Sequence, residues 1–486
     1  MSRTTPPSSV PDLSPAAAAP PQRRQGLVVL ALSIAASTAS IQQSAVIPLL
    51  ARLQESLHAS VTAVAWALTV SLLCGAIATP LFGRLGDMYG RRKMLLLTLG
   101  LLVAGSVVGA LSTSILTLMI ARVLQGISAA TVPLSIGAVR DLLPREKMAT
   151  GIGVLSATMG IGVGLGMIIS GLIAQYTSGY RLVFWIIAGL AVLATLLVAM
   201  TVRDVTPPPG GRPDVPGAVL LGGTLVCILL AVSQGRSWGW TSGGIIGLLV
   251  GAVVLGAAWV MVERRSASPL VDVAMLTHRG TIGASLASFM LGFALYAGFT
   301  LLPNFVQTPS KVGYGFGASV LMAGVYLLPT TLLLLVISPY AGQLVRRTSA
   351  ATMVATGSAV AMLSNIWLIM RHDHPFDIYV ATALLGVGVG LSFAALGTMA
   401  VEHVDPNKTA VASAVNSLVR LVGGGVASAL TSAILSSDTI AGTRIPTVHA
   451  YQVSFTIAAA SVGLAALCAG CFGWMNKRTV ARTTQE

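Results

Sequence analysis

Fourteen runs of about twenty predominantly apolar residues divide this chain, and a run of that length is what a helix needs to cross a bilayer. In hydrocarbon every backbone N–H and C=O must be bonded inside its own helix or a closed barrel. A chain of long uninterrupted runs therefore folds as a helix bundle. Composition agrees: 55% of the 486 residues are apolar and 9% charged, where soluble domains carry roughly 25% charge. The expected fold is an all-α polytopic membrane protein.

The net charge of +14 would suggest a nucleic-acid partner in a soluble protein. The placement of the cations gives a different reading, and no nucleic acid is expected. On alternating loops, most of the 29 Lys and Arg fall on one side. Arg52, Arg181, Arg236, Lys311, Arg371 and Arg444 fall on the other, and Arg122 and Arg420 lie within helices. Cation-rich short loops stay in the cytosol, so both termini are expected there, in a multi-pass protein of the cytoplasmic membrane. Arginine outnumbers lysine, and alanine and glycine are abundant, which points to a bacterial genome of high GC content.

The organisation read from the sequence has six parts. Residues 1–26 form a Pro/Ala/Ser-rich disordered tail with no signal-peptide cleavage site. Residues 27–202 hold six helices, including 61–83 and 149–176, and 203–214 are a Pro/Gly-rich linker. Residues 215–280 hold two further helices and a loop, 281–475 six more helices, and 476–486 a tail. Two six-helix bundles with two inserted helices follow.

One polar stretch stands out: Gly83-Arg84-Leu85-Gly86-Asp87-Met88-Tyr89-Gly90-Arg91-Arg92-Lys93. A plain cytosolic hairpin explains its cations. It explains neither Asp87 nor the glycines. The stretch resembles the loop between the second and third helices of major facilitator superfamily transporters in their drug-exporter form, with Gly83, Leu85, Asp87, Gly90, Arg91 and Arg92 on the pattern. Glu263-Arg264-Arg265 followed by Pro269-Leu270-Val271-Asp272 resembles the loop after helix 8 in the 14-helix drug:proton antiporter branch. The resemblance implies alternating access between the halves, a drug or natural-product substrate, exchange for protons, no cofactor and a monomer. Gly83, Asp87, Gly90, Arg91 and Arg92 with Arg140 and Asp141 are the expected cytosolic gate, read as an Arg140/Asp141/Arg84/Asp87 charge network.

Several stretches fall into place beside it. Leu118-Met119-Ile120-Ala121-Arg122-Val123-Leu124-Gln125-Gly126 resembles the family's second motif. Arg122 and Gln125 share one helix face; they are either a staple between helices or proton-transfer residues. Gly160, Gly162, Gly164 and Gly166 resemble the antiporter motif of helix 5 without its proline. They strip side chains from both sides of the helix and allow close backbone approach. The run Gly342 to Arg347 echoes the 83–93 stretch, and Gly423-Gly424-Gly425 echoes the helix 5 glycines, as expected of two equivalent halves. Asn416 and Arg420, buried near mid-membrane, mark a polar cavity or an anion contact, or a bond to backbone carbonyls. Gln42 and Gln43 on helix 1 with Phe293, Tyr296 and Tyr326 are candidate substrate contacts; aromatic stripes also serve plain packing. The family's helix 1 aspartate falls near Ala39.

The remaining chemistry is sparse. Cys468 and Cys471 form a C-x-x-C inside an apolar helix and read as packing. The six histidines lie in loops or helix ends, and no metal site or catalytic motif is expected. None of the 15 carboxylates falls clearly in mid-span. That gap keeps a uniporter or differently coupled carrier open beside the antiporter, and more remotely a membrane sensor.

Overall fold

A computed structural model describes residues 22–46, 49–177, 179–203, 214–266, 279–345, 347–402, 404, 409–443 and 445–483. Most of the tail, the centre of the linker, the loop at Pro269 to Asp272 and Arg346 lie outside them. The helices are α1 (Gln22–Ala45), α2 (Leu50–Leu57), α3 (Val61–Tyr89), α4 (Arg91–Leu111), α5 (Ile115–Ile127), α6 (Thr131–Leu142), α7 (Arg145–Tyr176) and α8 (Arg181–Thr201). They continue as α9 (Val215–Trp238), α10 (Gly243–Arg265), α11 (Arg279–Gln307), α12 (Val320–Val345), α13 (Ala350–Met370), α14 (Pro375–Glu402), α15 (Thr409–Ser437) and α16 (Val448–Thr483).

Twelve helices among the described residues are long and apolar enough to cross a membrane, with α5 and α6 forming one of them through a 3-10 turn at Ser128–Ala130. The sequence reading gave fourteen. The other two expected spans are present as the helices α7 and α9, whose apolar stretches among the described residues are Ile161–Tyr176 and Pro216–Ala231.

Local chemistry sets the helix ends. The Ser60, Ser114, Ser242 and Ser349 hydroxyls each accept from the backbone N–H three residues on, at 3.1–3.3 Å, which satisfies one of the orphan donors of a first turn. The 83–93 stretch is not the open hairpin expected. α3 continues through it to Tyr89, and Gly90 alone, at φ +100°, turns the chain into α4. Only glycine adopts that conformation without strain.

Buried apolar residues divide between the two runs of helices. One cluster draws on residues 28–202, and two others on 284–469 and 293–458. Within the first run α1 packs on α7 and α8, α3 on α5, and α4 on α5 and α8. The same pairings recur in the second: α11 on α15 and α16, α12 on α14, and α13 on α14 and α16. Contacts between the runs are likewise matched, α7 on α12 and α14, and α15 on α3 and α6. The pair α9 and α10 sits at the periphery, where α9 touches α3 and α15. Large apolar side chains such as Leu116, Leu196, Met200, Val253 and Leu467 are exposed on outer surfaces, the arrangement a hydrocarbon solvent requires.

Candidate functional site

Three polar groupings interrupt the apolar interior. The first lies where α3, α4 and α6 converge. Arg91, in the first turn of α4, reaches back to Asp87 on α3, with Nη2 2.7 Å from Oδ1, and its Nη1 pairs with Asp141 of α6. That nitrogen also donates to the Gly137 carbonyl at 3.2 Å. The side chains of Arg91 and Asp87 are 9% and 2% exposed, and that of Asp141 27%. One guanidinium thus bridges two carboxylates, each from a different nitrogen of its rigid planar fork.

Arg91, expected in the gate but not in its Arg140/Asp141/Arg84/Asp87 network, is the cation that bridges Asp87 and Asp141. Arg84 instead lines an apolar pocket with Asp214. Arg140, next to Asp141, donates to the Val401 carbonyl at 2.9 Å, crossing from α6 to the last turn of α14. A cation there also faces the negative end of the helix dipole. Arg92 donates to the Ala199 carbonyl of α8 at 2.8 Å. Two small residues make the cluster possible. A Cβ on Gly137 would lie 2.5 Å from Arg91 Nε, and one on Gly86 would collide with Leu134. Gly83 is buried within α3.

The second grouping lies inside the first bundle. Arg122, 2% exposed, donates from Nε to the Ala67 carbonyl at 3.3 Å and from Nη1 to Gln125 Oε1 at 2.9 Å. The Gln125 amide donates to Ser106 Oγ at 3.0 Å, and its oxygen also accepts from Gln42 at 3.4 Å. Helices α1, α4 and α5 meet on this one side-chain amide, and α3 joins through Arg122. Gln42 belongs here, buried, rather than at a substrate contact. Among the described residues no carboxylate pairs with Arg122.

The third is a cavity of about 80 Å³ between the two runs of helices. Ala39, Ser40 and Gln43 of α1 line it from one side with Thr79 of α3; Tyr296 of α11 and Ser417 and Arg420 of α15 line it from the other. The Arg420 guanidinium lies 5.0 Å from the centre of the Phe393 ring and 3.4 Å from Ser417 Oγ. Gln43, Tyr296 and Arg420 thus share one cavity. Asn416 does not join them; it donates to the Ala284 carbonyl at 3.4 Å. Phe293 and Tyr326 are buried in the apolar cluster of the second bundle, Tyr326 5.0 Å from Tyr379 and 5.9 Å from Phe316.

Glycines on α7 set the spacing around these groups. Gly162 and Gly166 lie against α1, where a Cβ at 162 would be 2.7 Å from Ser40 Cβ. Gly164 faces the opposite way, against Thr331 of α12. Gly160 is helical, and its surroundings lie outside the described residues. Gly153 (2.7 Å from its would-be Cβ to the Ser338 carbonyl) and Gly171 (3.4 Å to Leu321) bring α7 against α12 on both sides of Gly164. A larger cleft, about 780 Å³, opens at the Arg91 end between α1, α7 and α12, beside Gln25, Lys147 and Gln343. At the far end, Thr447 donates to Asp438 at 2.7 Å, and this bond, with one to His449, holds the carboxyl below its usual range.

Sequence reasoning missed Gly137, Ser106, Ser417, Phe393 and the carbonyls of Ala67 and Val401. The serines and Phe393 carry no spacing signal, and every residue has a carbonyl.

A family model described as the Major Facilitator Superfamily matches residues 32–428. A puromycin resistance protein of Streptomyces alboniger is 30% identical over 96% of this chain and 95% of its own. An uncharacterised MFS-type transporter of Mycobacterium tuberculosis is 28% identical over 85% of this chain, which spans 59% of that relative's length. Among solved structures, a human organic anion transporter, MFSD10, superposes with a TM-score of 0.64 at 16% identity, over 93% of this chain and 100% of that one.

Proposed function

Because the chain belongs to the Major Facilitator Superfamily, we propose that it exports a drug or natural product across a bacterial cytoplasmic membrane by alternating access. The observation that carries this reading is the Arg420 cavity, which takes its lining from both bundles, where a rocking carrier holds its substrate. The resistance protein among its relatives supports the outward direction, since a carrier that protects a cell must lower the internal concentration. On this reading residues 27–202 and 281–475 are the moving halves, joined through 203–214 and the inserted pair within 215–280. Both termini and the Arg91 end face the cytosol.

The geometry supports a gate of two parts. Asp87–Arg91–Asp141 clamps the end of α6, and that end presents Arg140 to the Val401 carbonyl of the opposite half. Drug-sized ligands need pockets of roughly 300–1,000 Å³. The central cavity, at about 80 Å³, is therefore that of a closed carrier, and substrate reaches it only after Arg140 releases Val401. The 780 Å³ cleft is the vestibule on that side. Gly137→Ala should lower the export rate several-fold, because Arg91 is held from both sides and cannot yield to the new methyl. Gly100→Ala, where no atom lies within 4 Å of the new carbon, should leave the rate unchanged. Dye efflux from cells with matched membrane levels of each variant reads the difference.

Exchange for protons is the first energising scheme, by family. A uniporter or other coupling is the second, and a specific observation favours it: the residues lining the cavity include no carboxylate. Dye uptake into everted vesicles, with the pH gradient and the membrane potential imposed separately, distinguishes them. Uptake that follows the pH gradient supports the antiporter. Uptake indifferent to it removes proton exchange. No uptake under any gradient overturns the transport reading.

A further inference from the structure

We infer that the central cavity receives an acidic group of its substrate, a carboxylate or phenolate seated on Arg420, so that the exported species is an anion. This rests on the export reading above and adds the charge of the cargo to it.

The argument starts from what Arg420 lacks. A guanidinium has five N–H donors and is always protonated in proteins. Here a hydroxyl at 3.4 Å and the face of one aromatic ring are its partners. Neither carries a negative charge, and among the described residues no carboxylate pairs with it. A purely structural arginine in a membrane bundle would be expected to cap backbone carbonyls or meet an acid. Arg420 bonds to neither. Its stem is fixed instead, since Gly292 lets α11 press against it; a Cβ there would lie 2.8 Å from Arg420 Cγ.

The surroundings have the same sign. Ala39, Ala76, Ala129 and Val132 make up the apolar part of the lining. Ser40 and Thr79 donate their hydroxyl protons to their own helix, at 3.0 and 2.6 Å. The Gln43 amide and the Tyr296 hydroxyl make no hydrogen bond to another described residue, so both can donate beside the guanidinium. Deeper in the first bundle the buried Arg122 adds a second cation, with neutral partners only. An anion entering this cavity completes a charge-assisted pair. A cation would meet uncompensated like charge in a medium that screens it poorly.

The same assignment explains how a carrier with no carboxylate in its cavity could run. An anion leaving a cell whose interior is negative moves down the electrical gradient. Each 100 mV sustains a gradient of roughly 50-fold for a monovalent anion. Proton exchange is then unnecessary.

The test uses the full chain in proteoliposomes with two xanthene dyes of similar size and opposite charge, fluorescein and rhodamine 123, under potassium diffusion potentials of either sign. Fluorescein should be carried, faster when the destination side is positive, and rhodamine 123 poorly. Arg420→Gln should weaken apparent fluorescein affinity about tenfold to a hundredfold, the effect of losing a hydrogen bond to a charged group. Arg420→Lys, which keeps the charge, should recover part of it. Preferential carriage of rhodamine 123 by the unaltered protein overturns the assignment while leaving export intact. So does an Arg420→Gln protein, monodisperse and active, whose fluorescein affinity stays within twofold. Carriage of neither dye under any gradient overturns the export reading, and this one with it.

Discussion

Arg91→Met should abolish export and destabilise the protein by about 3–5 kcal/mol, the usual effect of breaking a buried ion pair from one side. Methionine reaches as far as the arginine Nε, so the stem's packing beside Gly137 is largely kept and the main loss is the charged guanidinium. The burden falls on Asp87, whose side chain is 2% exposed and which loses its 2.7 Å ion pair. Asp141, at 27% exposure, can turn to water. Without its cation the end of α6 is no longer fixed, and Arg140 loses its approach to Val401. Arg91→Lys should be intermediate, since an ammonium keeps the charge but not the two-pronged geometry. In the Arg91→Met background, Asp87→Asn should restore stability, because a neutral amide is cheaper to bury than a carboxylate that has lost its 2.7 Å cation. The check is a double-mutant cycle on thermal unfolding in detergent, with dye efflux beside it. A coupling below about 0.5 kcal/mol, within the scatter of independent sites, would sink the clamp, and normal efflux in Arg91→Met would sink the gate.

How much of this was legible in the sequence depends on the partner of each residue. Run length and cation placement were enough for the fold class, because hydrocarbon permits few alternatives. The 83–93 stretch was legible as a family motif, yet its wiring was not. Asp87 and Arg91 stand four apart but on two helices, and the turn at Gly90, φ +100°, is what brings Arg91 back against α3. Asp141 pairs with the cation on another helix rather than with a neighbour, which is a property of packing. Gln42 and Gln43 show the same limit at closer range. Adjacent residues on a helix point about 100° apart, so one enters the Arg122 group and the other the Arg420 cavity. Which glutamine faces which depends on how α1 is rotated against α7. Gly162 and Gly166 hold that rotation by pressing against α1. Arg420 was visible as a buried cation, but its lack of an acid could be seen only with its neighbours in place.

Gln125→Leu should be the most damaging single change inside the first bundle, again about 3–5 kcal/mol, with no direct contact to the cavity. Leucine matches the volume and the helix propensity, so the effect isolates the amide. Three groups lose their partner at once: one prong of the Arg122 guanidinium, the Ser106 hydroxyl and the Gln42 amide. Each uncompensated buried polar group costs about 1–3 kcal/mol, and more where it is charged. The sign of a second change then separates the two readings of Arg122. If Arg122 and Gln125 are a staple, Arg122→Met in the Gln125→Leu background should recover stability, because an apolar pair replaces a stranded cation, and transport should return with it. If Arg122 passes protons, stability would recover in the double variant while pH-driven transport stayed absent. The staple reading has the stronger physical support, since both partners of Arg122 and all of those of Gln125 lie within one bundle and tie four of its helices together.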